Sequence, residues 1–169
     1  MTIAGVVHPD FPEDEAVFAE RLALYPQGCL VLEGKSGIGG YVVSHPWHEG
    51  DPPSLNASLG ELPSPAAHYY LHDLAILPDR RGGGAGAAAV ATLLDHAAAG
   101  GFDRVRLVAV GGSARYWARH GFTALAPAGG IASYGADAQI MVRPVAGGGS
   151  GVALAPSFRG DAERRARNP

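Results

Sequence analysis

Residues 78–87 read Pro78-Asp79-Arg80-Arg81-Gly82-Gly83-Gly84-Ala85-Gly86-Ala87, a glycine-rich turn between two segments of opposite character. Before it, Tyr69-Tyr70-Leu71-His72-Asp73-Leu74-Ala75-Ile76-Leu77 is an apolar run of strand length, which predicts a buried strand. After it, residues 88–99 are rich in strong helix formers. Glycines permit positive φ and leave the backbone amides uncovered. A helix start adds unpaired N–H groups and about half a positive charge. Strand, turn and helix start together predict an anion site, whose natural occupant is a phosphate or pyrophosphate.

The rest of the chain sets bounds on that site. Its 169 residues make one ordinary domain, and 47% hydrophobic with 17% charged residues excludes a disordered chain. A net charge of −3 argues against a nucleic-acid partner, which calls for a basic patch. One cysteine, Cys29, allows neither a disulfide framework nor a cysteine zinc site, and it reads as a small core residue. His45 and His48 lack a third ligand beside them, so no metal is expected. No apolar stretch has the length of a membrane span, so a cytoplasmic protein is the expectation. Monomer and homodimer both stay open.

Around the loop the elements alternate. Residues 2–8 are ambiguous between a short strand and a helix end. Residues 12–25 read as a helix with acids at its front, stopped by Pro26 and Gly28. Residues 29–33 and 38–44 form a hairpin, which His45-Pro46-Trp47-His48 leaves. Residues 49–67 are a long Pro, Gly and Ser-rich loop with one helical turn near 55–59. Strand 104–110 should lie parallel to 69–77 across a right-handed crossover. Ser113 then caps a short helix, 114–120, followed by strands after Gly121-Phe122 and at 138–143. The domain closes at residue 145; the Gly-rich, charged stretch 146–169 reads as a flexible tail.

Three phosphate-binding patterns compete for the loop. A Walker A loop needs Lys-Ser or Lys-Thr after its glycines, but Gly86 is followed by Ala87 and Ala88. The dinucleotide fingerprint is met formally by Gly82, Gly84 and Ala87. Its acid should end the second strand, whereas Asp103 precedes that strand. The third pattern, Arg81-x-x-Gly84-x-Gly86 after Leu74-Ala75-Ile76-Leu77-Pro78, resembles the acetyl-CoA loop of the GNAT N-acetyltransferase superfamily. Tyr116-Trp117-Ala118-Arg119-His120-Gly121-Phe122 is similar to that family's late helix, and the two elements cover residues 69–123.

The resemblance implies a mixed α/β fold: a mostly antiparallel sheet with two splayed parallel strands, here 69–77 and 104–110, and helices on both faces. It implies acetyl-CoA as co-substrate, and an amine acceptor that attacks the thioester directly in a ternary complex. The strand segment Leu74, Ala75 and Ile76 would pair with the pantetheine arm. Arg81, Gly82, Gly83, Gly84, Ala85, Gly86 and Ala87 would hold the pyrophosphate, with Ser113 beside them. The family begins with a strand before its first helix; either residues 2–7 form it or this chain starts late.

A primary amine is only about a thousandth neutral near pH 7, so a route for its proton is needed. His72 and Asp73 are the candidates, being polar in an apolar strand; strict alternation would place them on opposite faces. Glu33 is a weaker base candidate, His45, Trp47 and His48 could line the acceptor side, and His8, His68, His96 and His120 read as surface or packing residues. In the family a tyrosine four residues before the glycine of Gly-Phe often protonates the thiolate. Here that position is Trp117, which supplies no proton, and the neighbouring Tyr116 is turned about 100° away. A non-catalytic acyl-CoA-binding module of the same fold is the alternative.

Overall fold

The protein was examined as a computed structural model, which describes residues 2–126, 129–145 and 158–160. Two helices come first, α1 (Ile3–Val7) and α2 (Glu15–Leu24), followed by the hairpin β1 (Cys29–Gly34) and β2 (Gly37–Trp47). Then follow β3 (His68–Ile76), α3 (Ala85–Ala99), β4 (Arg104–Ala109), α4 (Ala114–Arg119), β5 (Thr123–Ala124), β6 (Gln139–Pro144) and β7 (Phe158–Gly160). The strands form one sheet in the order β5-β6-β4-β3-β2-β1-β7. Only β3 and β4 are parallel; every other pair is antiparallel.

The core lies on the α3 and α4 face of the sheet. Tyr69 and Leu71 of β3, Val105 and Leu107 of β4 and Met141 of β6 meet Ala89, Val90 and Leu93 of α3 there, with Trp117 and Phe122. Alanine at most of the helix's buried positions lets α3 lie close on the sheet, and each large side chain so enclosed contributes roughly 1.5–3 kcal/mol. On the opposite face α2 covers β2, with Phe18 edge-on to Tyr41 at 5.9 Å.

Parallel pairing of β3 with β4 spans only Tyr69–Val105, Tyr70–Arg106 and Leu71–Leu107. Beyond Leu71 the two strands part, while β3 stays paired with β2 to Ile76. A second irregularity falls at the same place. Val43 pairs with Asp73 but Ser44 pairs with Leu71, so His72 is an extra residue on β3, a β-bulge.

Several expectations are corrected. Residues 3–7 form a helix, its start capped by Thr2, whose hydroxyl accepts from Gly5 N at 3.2 Å; no strand precedes α2 among the described residues. His45, Pro46 and Trp47 do not leave the hairpin but continue β2 opposite Tyr70, Tyr69 and His68, with His45 and Trp47 buried. The 49–67 loop contains no helical turn; Asn56 turns the chain with φ of +56°. Ser113 stands at the N-cap position of α4 without capping it, and its hydroxyl instead accepts from Val110 N at 3.1 Å. In the tail, Phe158–Gly160 pairs antiparallel with β1, which corrects the unstructured reading for those three residues; the others fall outside the described ones.

Arg21 of α2 is 1% exposed and ties the long loop to the helix, donating to Val17 O and to Ala57 O, each at 3.1 Å. Removing it takes the side-chain donor from Ala57 O and unties the loop, so Arg21→Ala is expected to lower the unfolding free energy by about 3 kcal/mol in urea titrations. Arg21→Met, which keeps the packed stem without a buried charge, should lose less. Equal losses would show that the hydrogen bonds, not the stem, carry the effect.

Candidate active site

Where β3 and β4 part, a cleft of about 670 Å³ opens. One end is the glycine loop. Gly82 and Gly84 have φ of +86° and +82°, a conformation that favours glycine, and Gly84 stands at the N-cap of α3. The amides of Ala85, Gly86 and Ala87 begin a 15-residue helix and have no carbonyl of the preceding turn to bond. A Cβ built on Gly82, Gly83 or Gly84 would meet nothing within 4 Å, so this nest of amides is open. Gly86 is different: a Cβ there would overlap the Tyr116 hydroxyl, so the bare first turn of α3 is what lets α4 place its tyrosine over it. Arg81 braces the loop from below, its Nε donating to Ile76 O at 2.9 Å.

The middle of the cleft is the β3 edge from His72 to Ile76, which has no strand partner on the β4 side among the described residues. Leu74 packs toward the core and Ile76 toward Ala85 of α3, whereas His72 and Asp73 both point the other way. The bulge accounts for this. One extra residue breaks the alternation, so two consecutive polar side chains share one face, and the expectation of opposite faces is corrected.

At that floor two histidine–carboxylate pairs form. His72 Nε2 lies 3.0 Å from Glu13 Oε2, and His8 Nε2 lies 3.0 Å from Asp73 Oδ1. The Tyr41 hydroxyl donates to the other Asp73 oxygen at 2.5 Å. Burial alone would raise the Glu13 carboxyl, but the hydrogen bond and charge of His72 outweigh it and hold Glu13 below the usual range. Burial likewise works against a charged His8, yet Asp73 and a hydrogen bond with the Leu74 backbone leave it raised. Burial, with Asp73 beside it, pushes the Tyr41 phenol far up, and burial raises Tyr116 as well.

Most of the residues singled out from sequence come together here: His72, Asp73, Leu74, Ile76, Arg81, Gly82, Gly84, Ala85, Gly86, Ala87, Ser113, Tyr116 and Trp117 all border the cleft. Ala75 is fully buried and Gly83 is the exposed tip of the loop. Trp117, 8% exposed, belongs to the core and packs edge-on against Phe122 at 5.5 Å, presenting only part of its ring. Glu33 is exposed on the far hairpin, and His45, Trp47 and His48 do not reach the cleft. His8, Glu13 and Tyr41 were not anticipated. Each lies in another element, 59 residues separate Glu13 from His72, and no local spacing signals the contact. No cluster able to hold a metal ion occurs among the described residues, and no helix there is long and apolar enough to cross a membrane.

A family model, the acetyltransferase (GNAT) family, matches residues 4–122. The chain belongs to the GNAT family. Solved structures agree on the fold at low identity. The ribosomal-protein-S18-alanine N-acetyltransferase of Escherichia coli is 20% identical, with 90% of this chain and 89% of that one covered at a TM-score of 0.58. Naa20 of Chaetomium thermophilum, solved with a bisubstrate analogue, is 20% identical, covering 84% and 80% at 0.61. The GNAT-like decarboxylase GphF, solved with isobutyryl-CoA, is 17% identical, covering 85% and 92% at 0.70. No curated protein matches by sequence. In this GNAT domain the glycine loop, the parted strands and the two histidine pairs are all read from its own residues.

The histidines should titrate in opposite directions. His8 is raised above 6.5, so its stabilising contribution is complete below pH 6.5 and is lost as pH rises through its folded value. Burial depresses His45 to about 3 and His68 to about 4, so their contribution is present above 6.5 and is lost as pH falls toward those values. Histidine-resolved NMR titration is expected to show His45 and His68 neutral at pH 5 while His8 stays charged above pH 6.5. A neutral His8 at pH 6 would contradict the pairing with Asp73.

Proposed function

We propose that the chain is an acetyl-CoA-dependent N-acetyltransferase that passes the acetyl group directly to an amine in a ternary complex. The observation that carries this reading is the meeting of two features in one cleft: an unpaired strand edge on β3 and an open nest of amides at the start of α3. The edge suits an extended amide-bearing arm, which would pair with it as a strand does. The nest suits a pyrophosphate. Leu74, Ala75 and Ile76 take the arm, and Arg81 with residues 82–87 takes the phosphates, Ser113 lying along the same wall. The bond from Arg81 to Ile76 O uses one of that carbonyl's two lone pairs and leaves the other free.

His72 is the base. Glu13 holds its Nε2, and its buried Nδ1 has no partner in the fold. That nitrogen takes the ammonium proton, directly or through one water. Asp73, held by Tyr41 and His8, presents negative charge to the incoming ammonium and keeps it beside the parted strands. His8 is paired with Asp73 and so positions the carboxylate. Once the neutral amine adds to the thioester carbonyl, the C–S bond breaks, the thiolate leaves and the nitrogen loses its surplus proton to water. The Tyr116 hydroxyl lies over Gly86 at the phosphate end of the cleft, so the thiolate leaves unprotonated at the His72 end and takes its proton from water, while Trp117 serves as wall.

Acetyl-CoA should raise the Tm of the wild type. Gly83 is exposed and free of positive φ, so Gly83→Asp should leave the apo Tm close to wild type while its charge in the nest removes that rise. A full rise in the variant would show that the phosphates bind elsewhere.

In thiol-release assays with a panel of amines, His72→Ala is expected to lower kcat about 100-fold near pH 7. The deficit should narrow as pH approaches the amine's own pKa. Tyr116→Phe should cost about tenfold or less, because a thiolate can leave unprotonated. Binding of acetyl-CoA with no turnover of any amine would instead leave a non-catalytic acyl-CoA-binding module.

A further inference from the structure

Beyond β3 the cleft continues into a compartment whose walls come from five separate segments. Val7 ends α1, Phe11 lies in the connection to α2, Phe18 is on α2, Leu55 is on the long loop and Tyr134 follows from beyond β5. These walls are carbon-rich, and the one polar group they carry at this end, the Tyr134 hydroxyl, is already spent on Pro53 O at 2.6 Å. The ionisable groups at this end are Asp10 and the two pairs His8–Asp73 and His72–Glu13. Arg81 lies at the opposite, glycine-loop end, where its Nε is bonded to Ile76 O. Among the described residues the compartment therefore offers carboxylates and apolar surface, and no arginine or lysine.

Its mouth is also closed on two sides. Glu13 accepts from Asn56 N, and Glu20 accepts from Leu59 N and Gly60 N, fastening the loop to α2. Across the opening, Ser133 Oγ accepts from Leu55 N at 3.1 Å, and Tyr134 holds Pro53. The loop is thereby a strap joining α2 to the 133–134 segment, which leaves a blind pocket and not a trough along which an extended peptide could lie.

Building on the acyl-transfer reading above, we infer that the acceptor is a small primary amine on an apolar, preferably aromatic, body and without a carboxylate. The ammonium meets Asp73 and the His72–Glu13 pair, and the body fills the space between Phe11, Phe18, Leu55 and Tyr134. A carboxylate beside the amine would be desolvated next to Asp73 and Glu13, and the two histidines at this end are already paired with those carboxylates. A polyamine would place a second charge against carbon. A peptide would have to displace the strap.

Calorimetry on the CoA-saturated protein, with thiol release from acetyl-CoA run in parallel, tests this. The probes are 2-phenylethylamine, phenylalanine, spermidine and a tripeptide amide beginning with phenylalanine. The expected result is saturable binding of 2-phenylethylamine, tighter than each of the others by about tenfold or more. Leu55→Glu should weaken it by about tenfold while leaving the Tm rise with acetyl-CoA unchanged. Absence of saturable binding, comparable or tighter binding of any other probe, or an indifferent Leu55→Glu would overturn the inference. Tight binding of 2-phenylethylamine without turnover of any amine would support the compartment's assignment and overturn acyl transfer, so the two failures are separable.

Discussion

The parting of two parallel strands is the constraint to which the rest of this structure answers. Strands β3 and β4 share only three pairs before they separate, which leaves the β4-side backbone groups of residues 72–76 without a ladder partner among the described residues. Buried backbone groups left unpaired are costly, and the chain has brought a side chain to one of them. Arg81 reaches Ile76 O from the glycine loop, and His8 reaches Asp73 from the N-terminal segment. Both elements that border the opening are thus anchored to the edge they flank. The same edge gives the cleft its floor and its polarity.

The second device is the single extra residue at His72. A regular strand would have sent His72 and Asp73 to opposite faces, and one of them would have lain in the alanine-lined core under α3. With the bulge, Leu71, Leu74 and Ile76 keep the core face, and both polar residues meet α1 and α2. Partners then follow from geometry. Glu13 and His8 sit at the two ends of the short connection between α1 and α2, so one segment supplies a counterpart to each.

Legibility in the sequence divided along physical lines. The glycine loop, the strand before it and the helix after it are local, and their residue types dictate them: positive φ at Gly82 and Gly84, helix formers beyond, an apolar run ahead. The parallel pairing and the mixed sheet followed from those elements and the family resemblance. What stayed hidden depends on contacts between distant segments. A bulge leaves no mark in an apolar run, so alternation misplaced Asp73. Glu13 looked like a helix-dipole acid and His8 like a surface residue, since nothing local pairs them with residues 72 and 73. Residues 2–7 were ambiguous because a short apolar run with a threonine in front suits either a strand or a capped turn of helix. Tyr116 was discounted by its offset from Trp117, yet α4 is rotated so that the tyrosine overlies α3 while the tryptophan fills the core.

That last contact has an evolutionary corollary. Because the Tyr116 hydroxyl occupies the volume a side chain at position 86 would need, the two positions are not free to drift separately. A lineage that replaces Tyr116 with a smaller residue becomes permissive at 86, and one that acquires alanine at 86 must first lose or tilt the ring. Glycine at the third site of the loop is thus a record of which residue stands on α4. Reading the two positions jointly across relatives would sort them by whether a phenol guards the start of α3, independently of any similarity elsewhere in the chain.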